Sequence, residues 1–91
     1  MKEHVTRPGA EILALEALAW LAGQDDAIAQ FLTMSGLSAA ELRRAAGDRE
    51  LQGSVLDFLL AHENLLLDFC KSASLKPQSV HLARHRLESE A

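Results

Sequence analysis

An all-α fold is what this 91-residue chain predicts, and three observations carry the expectation. Ala and Leu dominate, β-branched residues are scarce and Tyr is absent, a composition that favours helix over strand. Two stretches are strongly apolar and amphipathic, residues 17–32 (ALAWLAGQDDAIAQFL) and 55–70 (VLDFLLAHENLLLDFC). They align without a gap at the 38-residue offset that carries Phe31 onto Phe69. The chain therefore reads as a compact six-helix bundle built from two similar three-helix halves, about 9–46 and 48–89.

Residues 1–7 are charged, lack apolar periodicity and read as a disordered tail, leaving residues 8–91 as a single helical domain. Pro8 suits a first helical turn, where its missing N–H is no loss. The first helix is expected over about 9–22, ended by Gly23. Gln24 or Asp25 can cap the second, 25–35, whose Asp25 and Asp26 oppose the positive end of the helix dipole. Gly36 is a left-handed C′ residue, with Leu37 as its apolar contact. Ser38 and Glu41 form a capping box for a third helix over 39–46, stopped by Gly47. Asp48 caps the fourth, 49–61; the fifth covers 63–73; Pro77 starts the sixth, 77–89.

The offset also pairs Leu18 with Leu56, Trp20 with Phe58, Leu21 with Leu59 and Ile28 with Leu66. Amphipathic helices align with one another by default, so the telling match is the turn, Gly36-Leu37-Ser38 against Ser74-Leu75-Lys76. The expected core is Leu21, Phe31, Leu56, Leu59, Leu66 and Phe69. Trp20 joins it, since Phe58 holds the matching place in the second half.

Charge and length narrow the function classes. The net charge of −4 argues against a nucleic-acid binder, which relies on clustered Lys and Arg. The lone Cys70 excludes an intramolecular disulfide and fits a reducing cytosol. Residues 1–11 lack the apolar region of a signal peptide, and no apolar run approaches the ~20 residues of a membrane span. The expectation is a cytoplasmic protein without a membrane segment, and no cofactor is implied.

The motifs A-L-A-W-L-A (17–22), F-L-T-M-S-G-L (31–37) and V-L-D-F-L-L with L-L-L-D-F-C (within 55–70) resemble the domain of unknown function 3572 family, small bacterial proteins. The resemblance covers roughly residues 10–87. It implies a small cytoplasmic helical protein and brings no catalytic or binding residues with it. The family pattern favours Asp at the caps before the middle helices, where this chain has Gln24 and His62.

Three constellations bear on chemistry. His81 and His85, at i, i+4 on the sixth helix, have a spacing that can serve one metal, with His62, Glu63 or Cys70 to complete it. Against this, Arg84 and Arg86 are cationic neighbours, and two ligands in register fall short of a site; exposed histidines are the simpler reading. Cys70 with His62 suggests a thiol nucleophile, yet Cys70 lies between Phe69 and Lys71 in an apolar helix, several residues from its N-terminus, where a cysteine is a small buried hydrophobe. A metal- or thiol-dependent protein using His81, His85 and Cys70 is the alternative to a non-enzymatic module. Arg43, Arg44 and Arg49 form a basic cluster suited to an anion or an acidic partner, or else are solvated surface arginines.

The first helix carries a surplus of apolar surface. Leu13, Ala17, Trp20 and Leu21 share one face, matched by Leu51, Val55, Phe58 and Leu59 in the fourth helix. Ile12, Leu15 and Ala19 lie opposite, where the fourth helix has the polar or small Glu50, Gly53 and Asp57. Two covers for that strip are open. Either the sixth helix folds back over it, or a partner does, an unknown protein or most simply a second copy in a homodimer.

Overall fold

The computed structural model describes residues 7–88. Among them run six α-helices: α1 (Arg7–Ala22), α2 (Asp25–Ser35), α3 (Ala39–Arg44), α4 (Arg49–Ala61), α5 (Glu63–Ala73) and α6 (Pro77–Glu88). No strand occurs among the described residues. The all-helical fold and the expected breaks are therefore present. Two boundaries differ. Arg7 already belongs to α1, and the rest of the expected disordered tail lies outside the described residues, as does Ser89. Helix α3 stops at Arg44 rather than Ala46: the Ala45 N–H bonds back to Glu41, and Asp48 N–H closes a turn on the Ala45 carbonyl at 2.8 Å. The chain has left the helix before Gly47.

The caps follow from local chemistry. Ser38 Oγ accepts from Glu41 N–H at 3.1 Å while Ser38 N–H donates to the Glu41 carboxylate at 2.8 Å, a complete capping box. Asp48 Oδ1 accepts from Glu50 N–H at 3.1 Å at the start of α4. Both middle helices end in left-handed residues, Gly36 at φ 76° and Ser74 at φ 57°. After α2, Gly36 N–H donates to Leu32 O at 2.9 Å. After α5, Ser74 N–H donates to Lys71 O and Leu75 N–H to Cys70 O, the two bonds of a Schellman motif.

Packing centres on α1, α4 and α6. Helix α6 lies against both α1 and α4, which also touch each other; α2 packs on α1, and α5 on α1, α4 and α6. The buried side chains form one cluster, with Ala10, Leu13, Ala14, Ala17 and Leu21 from α1, Leu51, Val55, Leu56, Phe58 and Leu59 from α4, and Val80, Ala83 and Leu87 from α6. The alanines let the three backbones approach closely. All six expected core residues are buried, including Phe31 and Phe69. Phe31 meets Phe58 edge-on at 5.3 Å, and the half-buried Trp20 meets Phe69 at 5.8 Å, geometries that suit aromatic quadrupoles.

The two halves are equivalent only in part. Helices α2 and α5 have the same length and sit in the 38-residue register, and α3 and α6 start in it, from Ala39 and Pro77. The third helices then diverge. Helix α6 has 12 residues and fills the seam between α1 and α4, whereas α3 has six and reaches the core through Leu42. The sequence shows where they part: α6 runs on through Ala83 to Leu87, whereas the matching positions of the first half, Ala45 and Arg49, are the cap of α3 and the first residue of α4.

The two left-handed turns make a paired test. A Cβ on Gly36 would meet nothing within 4 Å, so Gly36→Ala strains only the backbone. It should lower stability by about 1 kcal/mol, whereas Ser74→Gly, which relieves a left-handed L-residue, should raise it by about 0.5–1 kcal/mol. Urea unfolding of both variants checks this; shifts of the same sign would contradict the assigned turns.

Candidate functional site

Among the described residues, nothing covers the strip on α1. Ala10, Leu13, Ala14, Ala17 and Leu21 occupy the buried side of the helix. Ile12, Leu15 and Ala19 project from the other, with Ile12 58% and Leu15 41% exposed. Helix α6 does pack on α1, but not over this strip. Of the two covers the sequence leaves open, α6 does not supply one, and the cause is the wedge: Val80, Ala83 and Leu87 are drawn between α1 and α4, where they are buried on both sides.

The opposite face of α4 also differs in one place from its expected wet character. Glu50 and Asp57 are exposed, but Gly53 is buried. A Cβ there would stand 3.2 Å from the Arg84 guanidinium carbon. Arg84 reaches across from α6 to hold Asp57 through two bonds, Nε to Oδ1 at 2.7 Å and an Nη to Oδ2 at 3.1 Å. The bidentate bond raises the Arg84 pKa further above its already high value. Arg84 is thus a structural clamp, with the missing side chain of Gly53 making room for it. The sequence carried a signal for this: a glycine inside an otherwise good helix costs about 1 kcal/mol and commonly marks a close approach.

Gln24 and His62, the positions where the chain departs from acidic caps, cap nothing forward. Neither side chain bonds to the helix that follows it. Each instead turns back one helical turn, Gln24 Nε2 donating to Trp20 O at 3.5 Å and the His62 ring bonding through Nδ1 to Phe58 O at 2.7 Å. With the proton on Nδ1, His62 Nε2 accepts from the Gln30 amide at 3.3 Å. The ring also lies on Phe58, centroids 4.4 Å apart. The two residues are equivalent in the 38-residue register, and so are the carbonyls they bind.

The remaining candidates are dispersed. Arg43 and Arg44 are exposed in the last turn of α3 and Arg49 at the start of α4. Arg49 lines an open cleft of about 500 Å³ between α4 and α6, together with Glu50, Gly53, Ser54, Arg84, Leu87 and Glu88. Its guanidiniums are thus matched by carboxylates, and Arg43 and Arg44 are not part of it. His81 and His85 are exposed on α6, turned away from its buried Val80, Ala83 and Leu87. Cys70 is buried in α5, so the three do not converge. Among the described residues, no group of three or more His, Cys, Asp or Glu is placed to hold a metal ion. No helix among them is long and apolar enough to cross a membrane.

Comparison with known proteins adds one match. The model of a family described as protein of unknown function (DUF3572) matches residues 7–90. The chain belongs to that family. No curated protein and no solved structure matches it. For this DUF3572 protein, then, the reading of function rests on the surfaces described above.

Burial pushes the Cys70 thiol pKa up, which lowers the thiolate fraction at neutral pH. Cys70 should therefore resist a thiol reagent in the folded protein and react promptly in denaturant. Rapid labelling of the native chain at neutral pH would show a reactive, accessible thiol instead.

Proposed function

We propose that this DUF3572 protein is a non-enzymatic interaction module of the bacterial cytoplasm that pairs with a second copy of itself through α1. The observation that carries the reading is the exposed strip of Ile12, Leu15 and Ala19 on a helix whose other face is already full. An antiparallel α1–α1 contact about a twofold axis sets Ile12 of one copy across from Ala19 of the other, large against small. Such a surface is self-complementary, as an isologous interface requires. Removing the remaining exposed area of Ile12 and Leu15 from water contributes about 2 kcal/mol per copy. The single unpaired cysteine supports a reducing compartment.

We further propose that the halves 9–46 and 48–89 descend from one duplicated unit. The equal middle helices, the left-handed turns after them and the matched back-bonds of Gln24 and His62 support this. In that history α6 took over the central seam and left α3 short.

The double substitution Ile12→Glu with Leu15→Glu tests the pairing. Both side chains are exposed, so the variant should keep its helical content and melting behaviour while sedimentation shows the dimer replaced by a monomer. A wild type that sediments as a monomer at high concentration overturns self-association. A variant that unfolds would mean the strip is covered within the chain.

A further inference from the structure

On the far side of α4 from α6 a second surface is open, independent of the α1 strip. Helices α2 and α4 touch through Phe31 and Phe58, and beside that contact lie two lobes of about 320 and 340 Å³ that share Ser54 as a wall. Leu51 and the buried Phe58 form their floor. Met34, 60% exposed, and Leu37 wall them on the α2 side, and Ser54 and Ala61 on the α4 side.

The polar groups along the lobes are turned to other partners. Ser54 Oγ donates to Glu50 O, Ser35 Oγ to Leu32 O, and the His62 ring is held by Phe58 O and Gln30. What faces an occupant is therefore chiefly apolar. The charged residues lining the two lobes are Asp48, Glu50 and Asp57, with no Lys or Arg among them. Asp57 is engaged by Arg84, which leaves Asp48 and Glu50 as the carboxylates at the other end, Glu50 also bordering the α4–α6 cleft.

We propose that this α2–α4 groove docks a basic amphipathic helix of a partner protein. Its apolar face lies on Met34, Phe58 and Ala61, and its Lys or Arg residues meet Asp48 and Glu50. The wall from Glu50 to Ala61 is about 16 Å long at 1.5 Å per residue, room for about three helical turns, the usual footprint of helix-in-groove recognition. Met34 supplies a flexible, polarisable wall that adapts to the side chains it meets. Charge selects against the α1 strip of a second copy as occupant, because that strip is flanked by Glu11 and Glu16.

Amide chemical-shift mapping on the full chain tests this, with a short leucine–lysine amphipathic helix as probe and its leucine–glutamate counterpart as control. The expected result is saturable binding of the lysine peptide alone, with shifts concentrated at Met34, Leu37, Ser54, Phe58 and Ala61, weakening as salt rises. Met34→Glu should reduce the affinity about tenfold or more with the fold intact, and Leu67→Glu, on the exposed face of α5 and outside both lobes, should leave it unchanged. Shifts spread over the whole acidic surface, or centred on the α1 strip, overturn the proposal. So do groove signals that move with protein concentration alone, or on removal of residues 1–6 without peptide, since a second copy or the chain's own N-terminal segment would then be the occupant.

Discussion

Val80, Ala83 and Leu87 enter the seam between α1 and α4, and this three-helix contact is what the other elements depend on. A helix of 12 residues is marginal alone in water, so α6 is stable because its apolar stripe is buried on two sides at once. The same contact requires small residues where backbones converge, which Ala10, Ala14, Ala17 and Ala83 provide. It fixes what stays outside: with α6 drawn into the seam, nothing in the described chain remains to cover Ile12 and Leu15. The Asp57–Arg84 clamp across Gly53 sets the rotation of α6 on α4, although a partly exposed ion pair adds only modestly to stability.

Each half then uses the same device to join its first helix to its second. A polar side chain at the junction folds back to the carbonyl one turn earlier, Gln24 to Trp20 and His62 to Phe58. Carbonyls at a helix end lack intrahelical partners, so the residue at this place serves the helix behind it rather than the one ahead. The N-termini of α2 and α5 are instead compensated by acidic first turns, Asp25 and Asp26 in one and Glu63 in the other.

Most of the helical layout was legible in the sequence because Gly, Ser and Pro punctuate it. Gly36, the Ser38–Glu41 box, Asp48 and Pro77 each mark a boundary through short-range chemistry. The core was legible because period and residue size agree at Leu21, Phe31, Leu59 and Phe69. The unequal roles of α3 and α6 were harder to read: the sequence makes α3 the shorter helix, but both start in matching register, Leu42 against Val80, and length alone does not say which enters the seam. Arg84 stood out only as a cationic neighbour of two histidines; its partner, 27 residues earlier on another helix, is invisible to local pattern. The open face of α1 was half legible: the surplus apolar residues stood out, but their cover depended on where α6 came to rest.

Native-state hydrogen exchange, resolved by residue, tests the central role of α6 most directly. If α6 holds the seam, its amides from Val80 to Leu87 open only with global unfolding, at the same free energy as those of Leu13–Leu21 in α1 and Val55–Leu59 in α4, while α3 exchanges through cheaper local openings. Exchange of α6 at a distinctly lower free energy, with α1 and α4 still protected, would show that the two long helices hold together without it and would contradict the account.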